Sequence, residues 1–186
     1  MKIDYVRVII LLTKLAAAAS SLASLQAFAE SERHGAHIHG VAELTLALED
    51  TKLEISFNSP AISVLGFEHK ASNSTQLRAV DDARAKLRDA ASFFAFAGTT
   101  CTLQSATVDM SSVLSPEHKS HDGVTSHTDI RAHYEYKCTD GEQLQSLRVG
   151  RAALPFDLQE INAIWVLENA QGATVLNAKK QLIQLN

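Results

Sequence analysis

A chain of 186 residues, 46% hydrophobic and 20% charged, with a formal net charge of -4, has the make-up of an ordinary globular protein. The hydrophobic fraction is too high for a disordered polymer, and no basic run or basic-aromatic patch suits a nucleic-acid binder. Mild acidity fits a protein that handles cations.

The first 29 residues read as a secretory signal peptide. Met1-Lys2 and Arg7 give a positive start, an apolar stretch runs from Val8 to Leu25, and Ala27-Phe28-Ala29 offers a small-x-small cleavage site before Glu30. Lys14 interrupts the apolar stretch, which argues against stable membrane insertion. No cysteine lies near the cleavage point, so a lipid anchor is not expected. Cleavage near Glu30 or Ser31 leaves about 157 residues, enough for one domain over 30–186 with its own core.

The mature chain opens on His34-Gly35-Ala36-His37-Ile38-His39-Gly40. In an extended chain His37 and His39 share one face, about 6.5–7 Å apart. That spacing suits two neutral imidazoles on one metal ion at about 2.0–2.1 Å each, if the chain bends slightly. Gly35 and Gly40 allow the backbone to curl and bring His34 to the same ion.

Alternation predicts a strand over 41–50, with Ala42, Leu44, Leu46 and Leu48 inward, and a second over 52–58, with Leu53, Ile55 and Phe57 inward. Asp50-Thr51 between them makes a tight hairpin. Pro60 opens a short helical turn over 60–65. After the irregular Gly66-Phe67-Glu68-His69, Ser74 is expected to cap an amphipathic helix. Leu77, Val80, Ala83, Leu87, Ala90 or Ala91, and Phe94 form its buried stripe, and Gly98 ends it. Further strands are expected over 101–110, 130–138, 144–151 and 161–168, then 173–176 and a short edge strand over 181–185. A loop over 111–128 and a short helical connection over 154–159 join them. The fold class is α+β: a mostly antiparallel sheet with one main amphipathic helix packed on it.

Cys101 and Cys138 are the only cysteines. In an exported chain such a pair is expected to form a disulfide rather than two thiolate metal ligands. The eight histidines lie in three places: His34, His37 and His39; His69; and His118, His121, His127 and His133. With the thiols tied up, histidine and carboxylate supply the zinc-binding vocabulary. Taken singly, each group has a plainer reading: a solvated arm, a hydrogen-bonded structural histidine at 69, and a polar loop.

The opening motif His34-Gly-Ala-His-Ile-His-Gly-Val-Ala-Glu-Leu44 resembles the signature of the ZrgA-type periplasmic zinc-uptake proteins. The resemblance runs on through Leu53-Glu-Ile-Ser-Phe-Asn-Ser-Pro-Ala61, Val64-Leu-Gly-Phe-Glu-His69, Cys101-Thr-Leu, and His127-Thr-Asp-Ile-Arg-Ala-His-Tyr-Glu-Tyr-Lys-Cys138. It implies a periplasmic protein that binds zinc as cargo and helps supply an ABC-type importer. By position it makes His37, His39 and His69 the first ligand candidates, with His34 and His127 next. Members of the family commonly carry a long His/Asp/Glu-rich run between the cysteines. In this chain that run has shrunk to Glu117-His118, His121-Asp122 and His127.

Two other readings use the same residues. His37-x-His39-x-x-x-Glu43 with Gly66-x-x-His69-x-x-x-Asn73 resembles the metal motifs of cupins, whose open coordination positions serve catalysis. The glycines flanking the first cupin motif and the proline of the second are missing. No Gly-x-Ser-x-Gly or activated cysteine provides a nucleophile, so no enzyme is expected. A structural or interaction protein with incidental histidines is the other alternative.

Overall fold

Strict alternation of apolar residues builds the centre of the structure. The computed structural model describes residues 39–114, 128–150 and 158–185. In it β1 (Val41–Glu49) and β2 (Lys52–Pro60) form an antiparallel hairpin. Leu44, Leu53, Ile55 and Phe57 are almost fully buried on one face, while every second residue of β1 from Glu43 to Glu49 is exposed. Asp50 takes the hairpin's left-handed position at φ 52°, a conformation that aspartate tolerates better than most residues.

The chain then enters α1 (Ala61–Leu65), which Pro60 precedes and Gly66 follows. The main helix, α2, spans Ser74–Arg88. Its N-cap is Asn73, one residue before the expected Ser74: Asn73 Oδ1 accepts from the N–H groups of Thr75 and Gln76 at 3.1 and 2.9 Å. Lys86 and Arg88 in its last turn complement the helix dipole. Val80, Ala83 and Leu87 are buried, whereas Leu77 is 45% exposed and does not belong to the stripe.

The helix also ends earlier than the pattern suggested. It breaks at Asp89, α3 (Ala90–Phe93) adds one turn, and Phe94–Ala97 become strand β3. Gly98 therefore lies in the link from β3 to β4 and not at a helix end. The run of aromatic residues at 93–96 reads equally well in both periods, and pairing of β3 with β6 decides it.

The remaining elements are β4 (Cys101–Asp109), α4 (Ser111–Leu114), β5 (Asp129–Cys138), β6 (Ser146–Val149), β7 (Glu160–Val166), β8 (Gln171–Leu176) and β9 (Leu182–Gln184). Residues 111–114, expected as loop, thus form a helical turn. The expected helical connection over 154–159 falls mostly outside the described residues, and its described end, Leu158 and Gln159, is not helical.

Among the described residues two sheets form, where one was expected. The larger has the order β4-β5-β2-β1-β7-β8 and the smaller β3-β6-β9. Among the described residues the pairings are antiparallel except β1 with β7, which run parallel from Val41↔Glu160 to Ala47↔Val166. Cys101 and Cys138 face each other directly across β4 and β5 and form the disulfide.

The core lies between the inner face of the large sheet, α2 and the small sheet. Phe93 and Phe94 are core residues, and their rings meet Tyr134 at 6.4 and 5.0 Å. Phe96 packs edge-on against Tyr136 at 4.8 Å. Such aromatic pairs contribute about 0.5–1.5 kcal/mol beyond their buried area. Among the described residues no helix is long and apolar enough to cross a membrane. The signal peptide expected over 1–29 lies outside the described residues.

Candidate metal site at the start of the central strand

Gly40 organises this end of the large sheet. Its φ of 80° belongs to the left-handed region, where a side chain would be strained. Its N–H donates to the buried Ser63 Oγ at 2.8 Å, and its carbonyl accepts from the N–H groups of Gln159 and Glu160 at 2.7 and 3.0 Å. The turn that carries His39 is thereby tied to α1 on one side and to the start of β7 on the other.

A second anchored segment meets it. Gly66 caps α1, its N–H donating to the Ile62 carbonyl at 2.9 Å. The Glu68 carbonyl accepts from Thr128 Oγ1 at 2.8 Å, and the Thr128 carbonyl accepts from the Ala61 N–H at 2.7 Å. Three stretches far apart in sequence, 39–40, 61–69 and the residue following His127, therefore converge at one end of the sheet.

Within that convergence His39 Nε2 and Glu68 Oε1 lie 3.4 Å apart, with 67% and 36% of their side chains exposed. Two donors about 2.0–2.1 Å from one ion at the tetrahedral angle are about 3.3 Å apart, so the pair has the spacing of one edge of a zinc tetrahedron. As an exposed ion pair it would contribute only about 0–1 kcal/mol, so stability is a poor explanation for its placement. In the sequence Glu68 stands out only as the neighbour of His69. The signal was present, since the carboxylate stands in the Gly-Phe-Glu-His segment itself. What the pattern lacked was the turn that aims it at His39.

His69 is placed differently. Its ring packs on Phe67 at 5.2 Å, and its Nε2 lies 2.8 Å from Gln76 Nε2. Gln76 Oε1 already accepts from the N–H and hydroxyl of Ser72 at 2.9 and 3.2 Å. The amide nitrogen of Gln76 is therefore the donor and His69 Nε2 the acceptor, which puts the ring proton on Nδ1. A metal bound at Nε2 would have to displace Gln76.

His34, His37 and His127 lie outside the described residues, as do His118 and His121. Among the described residues no three His, Cys, Asp or Glu side chains converge closely enough to hold a metal ion. His133 stands apart on the outer face of the large sheet, 3.1 Å from Ser56 Oγ and 3.9 Å from Glu135 Oε1. On that face Lys52 pairs with Glu54, which holds the carboxyl below its usual range and the ammonium above its own.

Two members of the cupin-like set lie among the described residues beside His39, Gly66 and His69. Glu43 is exposed on β1, and the Asn73 side chain is committed to capping α2.

These features define a class: a β-rich α+β protein with an outward-facing imidazole–carboxylate pair at one end of its main sheet. A family model described as ZrgA family zinc uptake protein matches residues 36–185. The chain belongs to that family, and its role is in zinc uptake. No curated protein matches it.

Proposed function

We propose that this protein is exported to the periplasm, binds zinc reversibly as cargo, and helps supply it to an ABC-type importer. His39 and Glu68 provide two ligands of a four-coordinate ion, and two from among His37, His34 and His127, which adjoin this site in the chain, complete the set. His69 takes the place of one of them when Gln76 releases it. The observation that carries the reading is the 3.4 Å approach of His39 Nε2 to Glu68 Oε1 within the family-matched region. Both groups face solvent, as reversible capture and hand-over require. A catalytic role has less support, because the asparagine of the cupin-like set is committed to capping α2.

Zinc titration calorimetry on the mature, oxidised protein tests the proposal beside a His37→Ala/His39→Ala variant. Tight binding of about one ion per chain, lost in the variant, is the expected result. Weak binding, or equal binding by both proteins, would overturn it.

A further inference from the structure

The opposite end of the large sheet carries a cleft of about 540 Å³ to which the zinc reading assigns nothing. Three turns wall it: the β1–β2 hairpin, the segment 139–144 after β5, and the β7–β8 turn. Leu48, Leu144 and Leu185 form an apolar floor, each under a tenth exposed. Asp50, Asp140, Glu142 and Glu168 stand around it, and no lysine or arginine lines it among the described residues.

The walls hold one another in place. The Asp50 N–H donates to Glu168 Oε1 at 3.1 Å, and the Cys138 N–H donates to the Thr51 carbonyl at 2.8 Å. The Leu144 N–H donates to the Gly141 carbonyl at 3.0 Å, and the Leu185 N–H to the Gln145 carbonyl at 2.9 Å. Gly141 approaches Asp50 so closely that a Cβ there would lie 1.9 Å from the Asp50 carbonyl oxygen. A concavity built this way loses little conformational freedom when something fills it.

We infer that this cleft docks a protein segment in which an apolar side chain is flanked by lysine or arginine. The apolar side chain packs on the half-buried Leu167 above the leucine floor and the flanking cations meet the carboxylates. Complementary charge of this kind selects the partner and speeds encounter. The nine residues of β1 separate the cleft from His39 by roughly 27 Å, so a partner seated here leaves the proposed zinc end open. The inference stands independently of that proposal.

The test uses the oxidised mature protein without zinc and a fluorescent peptide with an Arg-Leu-Arg core, followed by anisotropy. Saturable binding is expected, at least tenfold weaker in an Asp140→Asn/Glu142→Gln variant and at least tenfold weaker for Arg-Ser-Arg and Glu-Leu-Glu cores. Among the described residues neither of those two side chains makes a hydrogen bond or ion pair within the fold, and unchanged thermal unfolding of the variant checks this directly. Absence of saturable binding, equal binding by the variant, or equal binding of the Glu-Leu-Glu peptide overturns the inference. Complete displacement of the peptide by an equal concentration of spermidine would overturn it too, by marking a site for small cations. Because zinc is absent throughout, failure here leaves the zinc titration unaffected.

Discussion

The Tyr134 hydroxyl donates to the Leu87 carbonyl at 2.7 Å, fastening β5 to the last turn of α2. Carbonyls in a helix's last turn have no partner within the helix, so this phenol replaces a bond the helix cannot make. Two residues along the same strand, Tyr136 is also buried, but its hydroxyl has no hydrogen-bond partner among the described residues. The two tyrosines should therefore respond oppositely to loss of the hydroxyl. Tyr134→Phe is expected to cost about 1–2 kcal/mol, and Tyr136→Phe to be neutral or to gain up to about 1 kcal/mol. Urea unfolding of the two variants measures both; equal losses would contradict the assignment.

The same burial gives a pH dependence. Desolvation pushes Tyr136 up to about 12 and Tyr134 higher still, whereas an unfolded phenol titrates near 10. Below roughly pH 10 both folded and unfolded chains keep these protons, and stability does not depend on them. Between roughly pH 10 and 12 the unfolded chain releases protons that the folded chain retains, so stability falls as pH rises. A Tyr134→Phe/Tyr136→Phe variant should lose less stability over that window than the parent. Parallel losses would remove these phenols as the cause.

Ser63 couples stability to the proposed zinc end. It is 2% exposed and accepts the Gly40 N–H. Ser63→Ala leaves that amide buried without a partner, at about 1–3 kcal/mol, and loosens the turn bearing His39. Lower thermal stability together with weaker zinc binding is expected. A stability loss with zinc affinity unchanged would separate the turn from the site.

The ligands themselves should rank. Glu68→Gln and His39→Ala are each expected to weaken zinc binding at least tenfold, an expectation in line with the effect of losing a ligand or its support. His69→Ala should weaken it less, because Gln76 engages that ring. Protons compete with zinc for imidazole nitrogen, and free histidine titrates near 6.5, so affinity should fall on acidification from about pH 7.5 to 5.5. Calorimetry on the three variants decides the ranking; a larger loss for His69→Ala would make it the principal ligand.

The cross-strand bridge gives the last prediction. Cys101 and Cys138 close a loop of 37 positions, for which the chain-entropy account gives about 4 kcal/mol. A Cys101→Ala/Cys138→Ala variant should unfold at correspondingly lower urea concentration. A negligible change would mean that the β4–β5 pairing is secure without the bond.

Much of this fold was legible because half-buried strands announce themselves by alternation. The residues expected inward on β1 and β2 are the buried ones, Leu44 and Ile55 among them. The Cys101–Cys138 pair followed from chemistry and compartment alone. What periodicity could not supply was partnership. Phe94 to Phe96 satisfy a helix and a strand equally, and only pairing with β6 selects the strand. The parallel match of β1 with β7 has no local signature at all. At the candidate site His39 was legible as a histidine flanked by glycine, but its approach to Glu68 depends on how α1 and Gly66 turn the chain. Ser63 and Gln76, ordinary polar residues in sequence, acquire their roles only from what they touch.

The parallel pairing of β1 and β7 also bears on how the chain is made. β1 gains its first neighbour, β2, at once, but its other edge is filled by residues more than a hundred positions downstream. A nascent chain halted before residue 160, or one clipped ahead of β7, carries a nine-residue leucine-rich strand with open backbone groups along one side. Such an edge recruits other strands, including copies of itself. Addition of β7, within the last seventh of the chain, is thus the event that makes the first strand safe.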